Sequence, residues 1–124
     1  RTDCVSRDAV PDPCSQRWQD RVHLMLDDIE RIRVFLAGHD RNSFAKDEKT
    51  HFAVSYAFVR LGEAVFHIPE AVKSRHPEVA WKDVRAFRNF MIHVYHAVDP
   101  ARVFDTAEQE LDSLEKALRN IVRP

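Results

Sequence analysis

The chain has 124 residues, 44% of them hydrophobic and 31% charged, with a formal net charge of −1 at pH 7. This length suits one domain with its own hydrophobic core. The near-neutral balance excludes a uniformly basic nucleic-acid-binding protein, so any site for a polyanion must be a local patch. Only 2 glycines are present, which favours helices with short connections, because the turns of a sheet-rich fold need glycine.

The first 14 residues predict a flexible segment that precedes a single helical domain over residues 15–124. Prolines stand at positions 11 and 13, the apolar core of a signal peptide is absent, and no apolar run is as long as a membrane span. Cys4 and Cys14 lie in this segment. Two reduced thiols are the simplest interpretation and a disulfide confined to the segment is the other. Their number and spacing give no zinc motif.

The first long helix is predicted to begin with Ser15 as its N-cap and to stop at Gly38. Its apolar residues recur at steps of three and four, as in an amphipathic helix with one buried face. They are Trp18, Val22, Met25, Ile29, Ile32 and Leu36. The connection that follows, HDRNSFAKD, is expected to hold one helical turn after Ser43.

A second long helix is predicted from Glu48 to Ile68, where Pro69 ends it. It carries two apolar stripes on roughly opposite sides. The first consists of Phe52, Tyr56, Val59 and Phe66, and the second of Val54, Phe58, Leu61, Val65 and Ile68. A helix with two apolar sides is either the central helix of the domain or part of a subunit interface. We expect the first stripe to belong to the core rather than to a dimer surface.

The segment 69–80 is expected to be a linker with one short helical turn, and a helix then runs from Trp81 to Ala97. Asp99 as N-cap and Pro100 at the first helical position predict the start of the last helix. Its apolar residues form a coiled-coil-like seam, which consists of Phe104, Ala107, Leu111, Leu114, Leu118 and Ile121. The sequence therefore predicts an all-α fold, a bundle of four main helices with short connecting turns.

The helix at 81–97 has a polar face that concentrates positive charge and imidazoles. An arc of about 160° holds Lys82, Arg85, Arg88, Asn89, His93, Tyr95 and His96, with Ile92 among them. Asp83 points away, so the arc contains no carboxylate of this helix. Such a face suits a phosphate or another anion and supplies groups for acid–base catalysis. A basic helix face that is merely solvated is the alternative.

The spacing of three residues on this face resembles a known motif. Arg88, His93 and Tyr95 match the R-x-x-x-x-H-x-Y pattern of HEPN ribonuclease toxins, in which an Asn such as Asn89 usually follows the Arg. The flanking segments RLGEAV, HPEVAWKDVRAFRN and VDPARVF resemble the HepT family, the toxins of HepT–MntA toxin–antitoxin systems. The resemblance covers roughly residues 18–122.

This resemblance implies a HEPN helical bundle that acts as a homodimer, with the motif helices facing each other across a cleft. It implies cleavage of RNA, either tRNA or mRNA, without a metal or another cofactor. Arg88 would hold the scissile phosphate, and His93 would act as general base or acid. Asn89, Arg85, Lys82 and His96 would support substrate binding, unless His96 is a neutral substitution for the aromatic residue common at that position.

The resemblance also implies a partner, an MntA-type nucleotidyltransferase antitoxin that transfers AMP to Tyr95. It further implies a prokaryotic, cytoplasmic protein with no membrane partner. Glu63, in the segment LGEA, either pairs with a motif residue across the helices or is an acid at the edge of the packing.

Two other functions are compatible with the chain. HEPN-like domains also accompany minimal nucleotidyltransferases as non-catalytic accessory or nucleotide-binding subunits, and the remaining interpretation is a structural helical dimer. The intact Arg88, His93 and Tyr95 favour the ribonuclease, because an accessory subunit need not keep all three. A structural dimer leaves the carboxylate-free face unexplained.

Overall fold

A computed structural model of the chain describes residues 13–93 and 99–122, with side chains described from residue 18 onward. Within these ranges the chain forms six helices and no strand. They are α1 (Pro13–Leu36), α2 (Arg41–Lys46), α3 (Glu48–Phe66), α4 (Glu70–Arg75), α5 (Trp81–His93) and α6 (Pro100–Ile121). Four long and two short helices confirm the predicted all-α bundle of the HEPN type. None of these helices is long and apolar enough to cross a membrane.

The first two helices begin earlier than the sequence suggested. Helix α1 begins at Pro13, so Ser15 lies inside its first turn and the prediction of an N-cap at Ser15 is wrong. Proline favours the first helical position, since its fixed φ suits a helix and its missing N–H would have no partner there. In α2 the backbone N–H of Ser43 donates to Asp40 Oδ1 at 2.8 Å, which makes Asp40 the N-cap and Ser43 the third helical residue.

Neighbouring residues in the sequence set both ends of α3. Asp47 caps its start, accepting a hydrogen bond from the Thr50 N–H at 3.2 Å. The helix stops at Phe66, two residues before the predicted end at Ile68, because a proline disfavours the helical conformation of the residue before it. The short helical turn expected in the linker is α4.

The connection from α5 to α6 is described only in part. Helix α5 begins at Trp81, as predicted, but its expected end at Ala97 lies outside the described residues. Asp99 caps α6 by accepting a hydrogen bond from the Ala101 N–H at 3.0 Å. Pro100 stands at the start of the helix, which confirms the predicted boundary.

The core forms between α1, α3, α5 and α6, and it contains most of the apolar stripes that the sequence placed there. The predicted stripe of α1 is buried up to Leu36, which is half-buried. The second stripe of α3 is entirely buried. On α6 the seam is buried except at Phe104 and Leu114, which are half-buried and pack against the core. Phe44 of α2 is fully buried among them.

The first stripe of α3 does not lie in the core of the single chain, so that expectation is wrong. Phe52, Tyr56 and Phe66 are 48%, 65% and 41% exposed, and Val59 is half-buried. Helices α1 and α5 pack against α3 and leave this side of it at the surface.

An ion cluster ties α1 to α6. Arg33 Nη2 donates to Asp112 Oδ1 at 2.8 Å and to Glu115 Oε1 at 2.7 Å. The hydrogen bond from Arg119, supported by the one from Arg33, lowers the pKa of Glu115 despite its partial burial. Because this folded-state pKa is depressed, the cluster stabilises the fold at neutral pH and loses that contribution as the pH falls through the carboxylate range.

Helices α3 and α5 approach each other most closely at Gly62. A Cβ atom at this buried position would collide with the Arg88 side chain, lying 2.6 Å from its Cγ and 3.2 Å from the carbonyl oxygen of Val84. Contacts this short require a neighbour to move. The missing side chain of Gly62 is therefore what allows Arg88 to lie directly against α3.

Replacing Gly62 with alanine is expected to destabilise the protein. In an ordinary helix position alanine is more favourable than glycine by about 1 kcal/mol. Here the collision with Arg88 should outweigh that gain and lower the free energy of unfolding by about 1–3 kcal/mol, as measured by urea denaturation.

The matched control is Ala86→Gly at an exposed position of α5, where the usual preference for alanine applies. This control should lose about 1 kcal/mol. A Gly62→Ala variant as stable as the wild type would show that the helices separate at no cost, contrary to the close contact described above.

Candidate functional site on helix α5

The polar face predicted for α5 is present over residues 82–93. Lys82, Arg85 and His93 are exposed, while Arg88 and Asn89 are half-buried. On the opposite side Met91 is buried, and Asp83 lines a separate cavity that faces α6. The predicted separation of the two faces is therefore confirmed for the described part of the helix.

Arg88 is the most firmly held residue of this face. Its Nη1 donates to Asn89 Oδ1 at 2.8 Å, and its Nη2 donates to Glu63 Oε1 at 2.7 Å. The side chain is only 21% exposed. Both terminal nitrogens carry two N–H groups, so the guanidinium keeps donors for an additional anion while these two bonds remain.

The Nε atom of Arg88 is buried and has no hydrogen-bond partner. Among the side chains that the structure describes, no other buried nitrogen or oxygen is in this state. A buried donor without a partner costs about 1–3 kcal/mol. The buried Nε lies next to the contact at Gly62, against which the first carbons of the Arg88 side chain pack.

Glu63 brings a carboxylate to the face that α5 alone leaves without one. Of the two interpretations considered for Glu63, pairing with a motif residue across the helices is confirmed by its contact with Arg88. Its second oxygen, Oε2, lies 3.8 Å from His67 Nε2. Sequence reasoning did not single out His67, although its position four residues after Glu63 on one helix is a usable signal.

Two arginines of the face share one aromatic ring. The guanidinium carbon of Arg85 lies 4.2 Å from the centroid of Phe66, and that of Arg88 lies 5.1 Å from it. Cations over an aromatic face are attracted by its negative electrostatic potential. Phe66 therefore links the motif arginine to the cations nearer the start of α5.

His93 lies apart from the arginine. It is exposed, and it makes no hydrogen bond or ion pair within residues 18–93 and 99–122. His93 comes five positions after Arg88, a step of about 7.5 Å along an α-helix and about 140° around its axis. Tyr95 and His96 lie outside the described residues, so their predicted roles stay predictions.

The remaining candidates do not all converge. Where α3 contacts α5, Arg88 donates hydrogen bonds to Asn89 and to Glu63. Lys82 and Arg85 instead line a pocket beside α4. Within the described ranges, no three His, Cys, Asp or Glu residues are grouped so that they could hold a metal ion.

Comparison with known proteins follows the same part of the chain. Residues 25–121 match the family model described as Ribonuclease HepT-like. A protein named probable ribonuclease HepT from Thermococcus cleftensis is 36% identical over 87 residues, which cover 70% of this chain and 79% of that protein. A putative RNase of Methanocaldococcus jannaschii is 33% identical over 99 residues, covering 80% of this chain and 82% of its own length.

A third relative, a putative RNase of Caldanaerobacter subterraneus, is 31% identical over 99 residues, covering 77% of this chain and 81% of that protein. No solved structure gave a significant match. The residues matched by the family model, 25–121, include α3 and α5, which carry the site.

Proposed function

Because the chain belongs to the HepT-like ribonuclease family, we propose that it is an endoribonuclease and the toxin of a toxin–antitoxin system. The observation that carries the proposal is the anchoring of Arg88 at the contact of α3 and α5. There a half-buried guanidinium, oriented by Glu63 and Asn89, presents its remaining donors at a face that continues to His93. The substrate is RNA, either tRNA or mRNA.

In this proposal Arg88 binds the scissile phosphate and stabilises the negative charge that grows on its oxygens during the reaction. Donors fixed in advance are effective because they do not need to reorient as the charge develops. Glu63 and Asn89 hold the guanidinium in place, as their bonds of 2.7 and 2.8 Å indicate. Asn89 also contributes to phosphate binding, with Arg85, Lys82 and His96 as supporting residues.

His93 acts in the proton transfers. As general base it takes the proton of the attacking 2′-hydroxyl group, or as general acid it gives one to the leaving 5′-oxygen. An imidazole changes its protonation state near neutral pH, which suits either step. A guanidinium and an imidazole supply charge stabilisation and proton transfer by themselves, so the proposed reaction needs no metal ion.

The proposed active form is a homodimer. Large apolar side chains are exposed at Phe52, Tyr56 and Phe66 on α3 and at Ile92, which lies within the motif on α5. Burying such side chains against a second copy is favourable. A second copy would also supply another Arg88 and His93, which matters because these two residues lie well apart on one helix.

The proposed control of the toxin is covalent. An MntA-type nucleotidyltransferase antitoxin transfers AMP from ATP to the hydroxyl of Tyr95, two residues from His93 along the chain. The added phosphate brings negative charge and bulk to the place where the RNA phosphate must lie. Arg88 can then pair with the modification instead of with substrate.

Incubation of the unmodified protein with tRNA and mRNA in EDTA tests the nuclease. We expect the wild type to cleave, His93→Ala to lower kcat by about 10²–10⁴, and Arg88→Ala to lower it by about 10²–10³. Matched controls are His23→Ala, an exposed histidine of α1, and Arg41→Ala, an exposed arginine of α2 that pairs with Asp105. Both controls should cleave like the wild type.

A His93→Ala variant that still cleaves at the wild-type rate would rule out the proton-transfer role. If the wild type itself fails to cleave, and intact mass shows Tyr95 without AMP, the ribonuclease proposal fails. The non-catalytic, nucleotide-binding accessory subunit then becomes the better interpretation.

Tyr95→Phe should escape the antitoxin, because no phenolic oxygen remains to accept AMP. After co-expression with the nucleotidyltransferase, intact mass should show one or more AMP units on the wild type and none on the variant. Tyr56→Phe is the control, since Tyr56 is the other of the 2 tyrosines and is exposed on α3. AMP on Tyr95→Phe, or its loss from Tyr56→Phe, would contradict the assignment.

The dimer is tested by sedimentation velocity. The wild type should sediment as a dimer at micromolar concentration, and Tyr56→Glu should shift it towards monomer because the new charge would be buried at the interface. A wild type that remains monomeric at concentrations at which it cleaves RNA would contradict the dimer cleft.

A further inference from the structure

A second cationic pocket lies beside α5, towards the start of the helix from Arg88. It has a volume of about 230 Å³ and forms where α4, the first turns of α5 and the end of α3 meet. Its polar lining consists of Glu70, Lys73, Ser74, Lys82 and Arg85. A water molecule occupies roughly 30 Å³ in the liquid, so the pocket has room for a phosphate group with part of its hydration.

The charges of the pocket favour an anion. Three cations, Lys73, Lys82 and Arg85, face a single carboxylate, Glu70. Lys73 Nζ lies 3.2 Å from Glu70 Oε2, but the two side chains differ greatly in their exposure to solvent. The Lys73 side chain is 12% exposed and therefore fixed by its surroundings, whereas that of Glu70 is 85% exposed. Because Glu70 is so exposed, water screens its charge and the ion pair contributes little. An incoming anion can therefore take the place of Glu70.

The pocket is continuous with the proposed catalytic face. Arg85 lines the pocket and at the same time lies over the Phe66 ring, which it shares with Arg88. From Lys82 to Arg88 the helix advances six residues, about 9 Å. Successive nucleotides of a stacked strand rise about 3.4 Å along the strand axis, and their phosphates also wind around that axis. The separation of the phosphates is therefore larger than the rise, and about 9 Å corresponds to roughly one or two nucleotides.

We propose that this pocket binds a backbone phosphate of the RNA substrate, one or two nucleotides away from the phosphate held by Arg88. The inference rests on the proposed ribonuclease function and adds Lys73 and Ser74 of α4 to the substrate contacts. Lys73 and Lys82 donate hydrogen bonds to the phosphate oxygens. Arg85 lies between this phosphate and the one that Arg88 holds. In the free chain the Glu70 carboxylate pairs with the ammonium group of Lys73. This carboxylate moves away when RNA binds.

Binding of RNA tests the pocket without requiring cleavage. The probe is a fluorescent six-nucleotide 2′-O-methyl RNA, which lacks the hydroxyl that attacks, and fluorescence anisotropy follows its binding at several salt concentrations. The proteins are the wild type, Lys73→Gln and Glu70→Gln. Lys46→Gln is the matched control, because Lys46 is an exposed lysine on α2, away from the pocket.

Lys73→Gln should bind the RNA probe about fivefold more weakly than the wild type at low salt. The slope of log K, the association constant, against log salt concentration should become less steep by about 0.7, as expected for one lost phosphate contact to a single strand. Glu70→Gln should bind more tightly than the wild type, because it removes the competing carboxylate. Lys46→Gln should match the wild type. A dinucleotide, measured by competition, is too short to reach both positions and should not distinguish Lys73→Gln from the wild type.

The opposite signs of the two pocket variants separate binding from stability. If the Lys73–Glu70 pair only stabilised α4, both variants would change RNA binding in the same direction, and the proposal would be wrong. It would also be wrong if Lys73→Gln kept the wild-type salt slope, or if the dinucleotide were affected as strongly as the longer RNA. A wild type that binds in the predicted manner but cleaves nothing would overturn the nuclease and leave the pocket in place.

Discussion

Where α3 meets α5, Gly62 has no side chain, and the first carbons of Arg88 fill the space that a side chain would need. The rest of the site depends on this contact. It brings the two helices together and holds the first carbons of Arg88 against α3, and the Nε atom of the same side chain is buried. It also sets the position of Glu63, the next residue of α3, so that its carboxylate meets that guanidinium. The contact therefore determines both the position and the direction of the motif arginine.

Two ion pairs of this surface follow a common electrostatic pattern. Arg88 pairs with a half-exposed carboxylate from α3, and in the neighbouring pocket Lys73 pairs with a strongly exposed carboxylate within α4. Each cation is more buried than its acid, so each acid is the partner that can move at lower cost. Such an arrangement keeps a near-neutral chain from presenting bare positive charge. In the proposed complex an RNA phosphate replaces the exposed Glu70 on Lys73, whereas Glu63 stays bound to Arg88 and leaves the other guanidinium donors for substrate.

Much of this architecture could be predicted from the sequence because it depends on local spacing. Helical periodicity predicts the buried stripes of α1, α3 and α6 and the division of α5 into two faces. The cap at Asp99 follows from an Asp directly before a Pro at the first helical position. The Glu63–Arg88 pair and the α4–α5 pocket could not be predicted in the same way, because both depend on how two helices are aligned. The first stripe of α3 was misjudged for a related reason. Periodicity shows that a helix has a second apolar side, but not whether the chain has another element to cover it.

The exposed aromatic side chains of α3 have a consequence for how activity depends on the amount of protein. If two copies meet along this surface, the concentration of the pair in dilute solution rises with the square of the concentration of the chain. A cell that holds little of the protein would then contain almost no assembled clefts, and a modest rise in synthesis would increase their number disproportionately. The surface that a single chain leaves uncovered would act as a threshold, separating harmless basal expression from damage to RNA.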